Sequence, residues 1–569
     1  MYEKQNFKNG EILTAARLNA MDDGIKRAVD GVFYSSVYNA LNGINALESG
    51  SVHVSGSTIT LLADVDEAEL LEIKADTTLV LNGFTLHVPG GGDRITVNEG
   101  ASLYIDGTRA GSVILADAAS DKVVLVRSNG TLNISGGQYS ISGSDGLMAA
   151  FVAASTSPAM SVYHCKIIVD GGEVGTTTAI QSEAAKLDVN TVEIVANGLN
   201  ATHIKYMHDA KIFSCKLTGS AIEKIDCVVC FPNSVTDIID LQITSASKTN
   251  LIHGLRIFSN ATVTAKDLRI SVATEAEREA KECAYGIANS GTCTIEDSFI
   301  MADAKGEHTD RSMAIAIDNY GLVTVKNSQV IGTHSGLQNF GDLYVERCLL
   351  SGVCHGGLYT CHDHNKEVVV NDTVLEAGVY RGEFTDAYAE LFDPTPGSSD
   401  VDTYAGMYFG SSDVYDDGGD LYMDGCMFVG IGGESFVVRP AAYTTTGSLA
   451  AGQNPNRLFI SRSKIAVQKT GAANGVTAPI RLNYYNSAVC TVAFSEIHYG
   501  LGCNFTADNL GAAGAADFMH SGSVYYRCNA QFMPTYEDYF SMNCDNVMLG
   551  EVSKALDKII ELQEELIGA

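Results

Sequence analysis

The sequence predicts an all-β solenoid, and three observations carry that prediction. A short phrase recurs: Val323-Thr324-Val325-Lys326-Asn327-Ser328-Gln329-Val330 sets two alternating apolar residues, two polar ones, a small one, a polar one and a final apolar one. The same order returns as Met160-Val162-Cys165-Ile167, Cys293-Ile295-Ser298-Ile300, Leu343-Val345-Cys348-Leu350, Val368-Val370-Thr373-Leu375, Leu421-Met423-Cys426-Phe428 and Leu458-Ile460-Ser463-Ile465. Copies follow one another mostly every ~20 to 32 residues, the range in which self-similarity marks a stacked repeat. The closing position is apolar or aromatic throughout: Tyr139, Ile167, Ile194, Leu217, Ile243, Ile270, Ile300, Val330, Leu350, Leu375, Phe428, Ile465 and Ile497. Glycine is abundant (56 residues) and proline scarce (9), which suits many tight turns between short strands. Period-two alternation makes each copy a strand with one buried face. One copy alone cannot bury that face, whereas stacked copies build a continuous core.

In chain order, residues 1–34 open with a helical pattern. Thr14 is a candidate N-cap, and Leu18, Met21, Ile25 and Ala28 recur at helical spacing. Residues 35–56 hold a second pattern, with Val37, Leu41, Ile44 and Leu47 on one face and Gly50 as its stop. A helix here would cover the strand edges that a first coil exposes. Strands begin with Ile59 to Leu61, Leu71 to Ile73, Leu79 to Leu86, Ile95 to Val97 and Leu103 to Ile105. The solenoid is assigned to 57–499. Two excursions, at 376–420 and 439–457, break its period and are expected to leave it as surface loops. Past Ile497 the phrase fades, and 500–547 are read as a closing cap. In 548–569, Val552, Ala555, Ile559, Leu562 and Leu566 step by three and four as a short heptad seam.

Leu79-Val80-Leu81-Asn82-Gly83-Phe84-Thr85-Leu86 resembles the first-coil segment of pectate-lyase-like proteins, with Val80 where that segment commonly carries Asp. The resemblance spans residues 57–530 and implies a right-handed, single-stranded parallel β-helix, here with short N- and C-terminal helices. Lyases, hydrolases, adhesins and phage tailspikes share that fold, so it leaves function open. Phe7, Gly10, Leu13, Thr14, Ala15, Leu18, Asn19 and Ile25 resemble the amino-terminal segment of phage tail-fibre and baseplate-associated proteins. That implies a virion-attachment segment, with Phe7, Leu13, Leu18, Met21 and Ile25 as its contacts. Ala555 to Gly568 is similar to terminal helices in virion proteins of phages of low-GC Gram-positive bacteria. It implies an oligomer seam through Val552, Ile559, Leu562 and Leu566. By periodicity alone, both segments also fit amphipathic helices packed on their own domain.

The net charge is 37 − 68 = −31. Such a surface repels phosphate backbones and anionic lipid, which argues against nucleic acid and membrane as partners. Residues 1–13 are polar and mixed in charge, unlike a secretion signal. Of 14 cysteines, Cys165, Cys215, Cys348 and Cys426 fall where Ser298, Ser328, Thr373 and Ser463 fall in other copies. They read as small inward-facing hydrophobes. Cys227 and Cys230 have metal or redox spacing but no second pair, and read as structural. A chain folded in a reducing cytoplasm, with neither metal nor cofactor, is expected.

Chemistry-bearing residues are sparse. Asp297, Asp303, Glu307, Asp310 and Asp318 cluster, and Cys361-His362-Asp363-His364 lies beside Glu367 and Asp372. A glycan hydrolase needs two carboxylates at a set separation, and His with carboxylates can act as acid and base or hold a metal. Asp303, Glu307, Asp318, His362, Asp363 and His364 are therefore the candidate catalytic residues. No complete motif accompanies them, and the calcium-binding Asp triad and catalytic Arg of pectate lyases are not identified. Asp267, Asp297 and Asp372 share a turn position where Asp serves the backbone. In the first excursion, Tyr388, Tyr404, Tyr408 and Tyr415 stand beside carboxylates as candidate sugar contacts, although the chain has no Trp. The expected protein is a phage virion appendage: a homotrimeric tail fibre or tailspike, joined to other phage structural proteins and contacting host surface polysaccharide. A depolymerase of that glycan (hydrolase or lyase) and a non-adhesive head, neck or baseplate fibre are the alternatives.

Overall fold

The computed structural model describes residues 31–377, apart from 118–121, 144–145, 249–250, 275–282, 305–312, 353–355 and 363. Beyond 377 it describes 406–409, 419–431, 436–438, 456–468, 480–482, 488–493, 496–500, 517–521 and 524–528. The chain falls into two compact units, residues 1–222 with 227–236, and residues 223–226 with 237–569. Each is a parallel β-solenoid whose successive coils give one strand to each of three sheets. In the first unit, Lys122–Ser128, Leu147–Ala153 and Thr176–Ser182 follow one another in the first sheet. Thr131–Gly136, Met160–Tyr163 and Lys186–Asn190 do so in the second, and Val113–Asp117, Gln138–Ser142 and Lys166–Asp170 in the third. In the second unit one coil consists of Met313–Asn319, Leu322–Lys326 and Gln329–Gly332, and the next repeats it with Ser335–Asn339, Asp342–Glu346 and Leu349–Gly352.

The recurring phrase spans the second and third sheets. Its closing apolar residue forms a column in strict register, buried from Ile243 to Phe428: Ile243, Ile270, Ile300, Val330, Leu350, Leu375, Phe428, Ile465 and Ile497 each pair with the next. Tyr525 continues it beyond Ile497, so the solenoid runs past the boundary expected at 499. The corner between these sheets is a residue in the left-handed region: Asp267, Asp297, Asn327, Arg347, Asp372 and Arg462 all have φ between 46° and 55°. Asp and Asn tolerate that conformation through local hydrogen bonds, which is why Asp recurs there. The small residue that follows turns inward. Ser328 Oγ accepts the Ser298 amide at 3.1 Å, Thr373 Oγ1 the Cys348 amide at 3.3 Å and Ser463 Oγ the Cys426 amide at 3.0 Å. Cys165, Cys215, Cys348 and Cys426 are buried free thiols at this position, and Cys227 and Cys230 are buried free thiols as well. Burial pushes Cys348 and Cys426 up to about 12, so both stay protonated.

The first sheet carries no strong phrase, but its coils end in Asn289-Ser290-Gly291, Asn319-Tyr320-Gly321 and Asn339-Phe340-Gly341. The three Asn side chains stack inside. Asn289 Nδ2 donates to Asn319 Oδ1 (2.8 Å) and Asn319 Nδ2 to Asn339 Oδ1 (2.6 Å). Each Oδ1 also accepts the amide of the glycine two residues on. A Cβ at Gly321 would lie 2.0 Å from the Gly291 carbonyl oxygen, so only glycine fits. The chain of bonds runs on from Asn339 Nδ2 to Thr360 Oγ1 (3.1 Å) and from Thr360 to His362 Nδ1 (2.9 Å).

Two expectations are corrected. The second helix is only Val37–Asn42: Ser36 caps its start and Gly43, at φ 63°, ends it seven residues before Gly50. Ile44 and Leu47 are consequently exposed rather than on a helix face. The amino edge is covered instead by antiparallel strands, Val32–Tyr34 on Val52–Ser55 on Thr58–Leu61, the last pairing in parallel with Thr77–Val80. The excursion at 376–420 is not one loop, because Met407–Phe409 is a first-sheet strand between Leu358–Thr360 and Phe436–Val438. The segments 1–30 and 529–569, including both expected terminal helices, lie outside the described residues.

Asn319→Ala should cost about 1–3 kcal/mol, the penalty for leaving buried polar neighbours unpaired. The outward Thr324→Ala should cost less than about 0.5 kcal/mol. Denaturant midpoints of the two variants measure the difference, and equal shifts would mean the ladder is not stabilising.

Candidate functional site

In the second unit the outward residues of the second sheet form one row in register: Thr324, Tyr344, Val369, Tyr422 and Phe459. They alternate with the buried pairs Leu343/Val345, Val368/Val370, Leu421/Met423 and Leu458/Ile460, which fix their direction. Tyr422 is 45% exposed and stacks on Phe459 with centroids 5.0 Å apart and planes 8° from parallel. Its other side faces Val369, a short side chain between two tyrosines. Tyr344 and Tyr422 are two strands apart, about 9.6 Å at the usual strand spacing. That is room for one puckered ring in van der Waals contact on both sides, at about 3.5–4.0 Å per contact.

Carboxylates border the row. Glu367 accepts the Tyr344 hydroxyl at 2.7 Å, and Asp420 accepts the Tyr422 hydroxyl at 3.3 Å. Asp420 also holds Arg457 through two bonds, at 2.6 and 2.7 Å, and Asp424 holds Arg462. The bond to Glu367, more than burial, pushes Tyr344 up to about 12, so its hydroxyl remains a donor. The row thus offers apolar ring surface between fixed acceptors and cations. Sequence reasoning sought the aromatic groups in the loops and passed over these strands. The signal was present: at the outward position of the phrase, polar residues in other copies give way to Tyr344, Tyr422 and Phe459.

The described candidate catalytic residues fall on different sheets and coils. Asp303 is buried at the end of a third-sheet strand, opposite Ala273. Asp318 is buried on the first sheet, between Ala288 and Gln338, and Glu307 and Asp363 lie outside the described residues. Asp297 is a corner residue bound to Lys266 at 3.0 Å. His362 is buried: it donates from Nε2 to the Asp420 carbonyl (3.0 Å), accepts at Nδ1 from Thr360, and stacks on Phe409. Both ring nitrogens are therefore engaged in the frame, while His364 is exposed. Tyr408 takes the register position beside Tyr359, and Tyr388, Tyr404 and Tyr415 lie outside the described residues, as do the attachment and oligomerisation candidates. Among the described residues no group of three His, Cys, Asp or Glu could hold a metal ion.

No family model matches the chain, and no curated protein matches it. A solved structure similar to it is described as the cryo-EM structure of the Vag8-C1 inhibitor complex. That match covers 82% of this chain and 99% of the other, at 11% identity and a TM-score of 0.38. A similarity of this size carries nothing over about partners.

Asp318 has one measurable consequence. Burial pushes its carboxyl up to about 7 from an ordinary 3.8, and its Oδ1 has no hydrogen-bond partner among the described residues. An acid harder to ionise when folded leaves stability intact below the ordinary value and lowers it as pH rises toward 7. Asp318→Asn cannot ionise. It should exceed the parent in stability by about 2–4 kcal/mol at pH 8, with the gap closing near pH 4 in denaturant unfolding.

Proposed function

We propose that this chain is a phage virion appendage that contacts host surface polysaccharide through the second-sheet row Tyr344–Val369–Tyr422–Phe459. The single observation behind the binding site is the notch over Val369, walled by tyrosines and edged by Glu367 and Asp420. A pyranose presents apolar C–H faces and a rim of hydroxyls. Ring surface meets the first, and fixed carboxylates accept from the second. A rigid strand face holds such groups in place before the sugar arrives, which lowers the cost of binding. The virion assignment rests on the resemblance of residues 7–25 and 555–568 to virion proteins. In this reading the amino-terminal segment joins the particle and the carboxy-terminal seam makes a homotrimer.

Cleavage of the same glycan is the second reading. Asp318 favours it, since a carboxyl pushed up to about 7 has the protonation state that a general acid needs. Two assays separate the readings. Val369→Phe fills the notch, and Tyr422→Ala removes a wall. Each should lower binding to host cell-surface glycan by about tenfold or more, equivalent to 1.4 kcal/mol, without lowering the melting temperature. Unchanged binding in both variants would remove this row as the contact. Release of reducing ends from host glycan, lost in Asp318→Asn, would make the protein a depolymerase.

A further inference from the structure

We propose that Lys224 and Arg256, mounted on the buried pair Asp226 and His253, bind a negatively charged group of the glycan: a carboxylate, sulfate or phosphate. The inference rests on the glycan-binding reading and adds the charge of the glycan. All four residues belong to the second unit.

Asp226 and His253 are only 9% and 5% exposed. One carboxylate serves three partners: His253 Nδ1 at 2.7 Å, Lys224 Nζ at 2.9 Å and Arg256 at 3.9 Å. Burial by itself would raise Asp226, but the hydrogen bond from His253 and the charge of Lys224 outweigh it, and the carboxyl lies below its usual range. An ionised carboxylate only accepts, so the proton of that bond sits on His253 Nδ1. Burial lowers His253, which leaves the ring neutral. The cluster therefore holds one anion and two cations, an excess of one positive charge.

The surplus cations reach solvent: the Lys224 and Arg256 side chains are 33% and 34% exposed. The Arg256–Asp226 separation of 3.9 Å exceeds hydrogen-bonding distance. Among the described residues no guanidinium N–H of Arg256 makes a hydrogen bond, so those donors are unspent. The guanidinium is nonetheless held, 4.7 Å over the Phe258 ring, while Tyr285 stacks on His253 at 5.3 Å and 10°. A fixed, planar fork of donors matches two oxygens of a carboxylate, sulfate or phosphate. Beside Arg256 in the same row stands the small side chain of Ala288, and beyond it the buried Asp318.

The test is equilibrium binding of the full chain to four oligosaccharides of equal length: neutral, uronic-acid, sulfated and phosphorylated. At least one charged ligand should bind about tenfold tighter than the neutral one, and the preference should shrink with added salt. Arg256→Gln should erase the preference, and Arg256→Lys should keep only part of it, because the charge remains and the fork is lost. Unchanged melting of both variants assigns the loss to the site. Charged ligands that bind Arg256→Gln and Lys224→Gln as well as the parent would overturn the proposal. If Tyr422→Ala alone abolishes binding, the anion site falls and the glycan reading stands. An anion preference that depends on Arg256, without binding to any host surface, does the reverse.

Discussion

Coil-over-coil register is the constraint on which everything else depends. Each residue sits over its counterpart in the next coil at the spacing of hydrogen-bonded strands, about 4.8 Å. Every inward or outward position must therefore tolerate contact with its own kind. Apolar side chains do so without cost, and Ile243 to Ile497 form an unbroken column. Asparagine does so because one amide both donates and accepts, which lets Asn289, Asn319 and Asn339 bond in series. Charges do so only by alternating or pairing. Lys326 faces Glu346, and Asp420 faces Arg457, each across one step of the stack.

That constraint also explains what the sequence made legible. The second and third sheets were readable because their inward residues alternate cleanly, and because the corner between them needs Asp, Asn or another residue that accepts a positive φ. The first sheet was not. Gly254, Gly286, Ala316 and Gly336 stand directly before its inward Leu255, Ile287, Ile317 and Leu337, and in three coils the next inward position is polar: Asn289, Asn319 and Asn339. The Asn ladder escaped for a related reason: Asn-x-Gly reads as a surface turn, whereas here the amide is buried. Met407–Phe409 went unread within the excursion at 376–420 because a three-residue strand leaves almost no periodic signal. The helix at Val37 was overestimated because Ile44 and Leu47 kept helical spacing past a glycine that ends the helix.

The candidate site was half legible. Aromatic residues beside carboxylates stand out in the excursion at 376–420, whereas on the strands the same pairing is hidden by the repeat. Outward strand positions read as surface filler in one copy at a time. Their meaning emerges only when Tyr344, Val369, Tyr422 and Phe459 are laid over one another, since the notch exists because one rung lacks an aromatic ring. His362 shows the converse. Its spacing to His364 suggested paired chemistry, yet a step of two in a chain leaving a strand sends one ring inward and the other out.

A chain of net charge −31 would at first sight repel an acidic glycan. Screening settles the matter by distance. At physiological ionic strength the field of an exposed charge decays over about 8 Å, so the many distant carboxylates contribute little at Arg256. What an arriving anion meets is the local set, in which Asp226 is already divided among His253, Lys224 and Arg256. Burial strengthens that local balance, because a half-desolvated guanidinium attracts more strongly than one in bulk water. The global charge acts on the approach instead, slowing encounter and disfavouring extended polyanions that span more of the surface than one cluster. An acidic chain with a local cationic cluster at Lys224 and Arg256 is thus suited to sparse negative charge along a glycan and unsuited to a phosphate backbone.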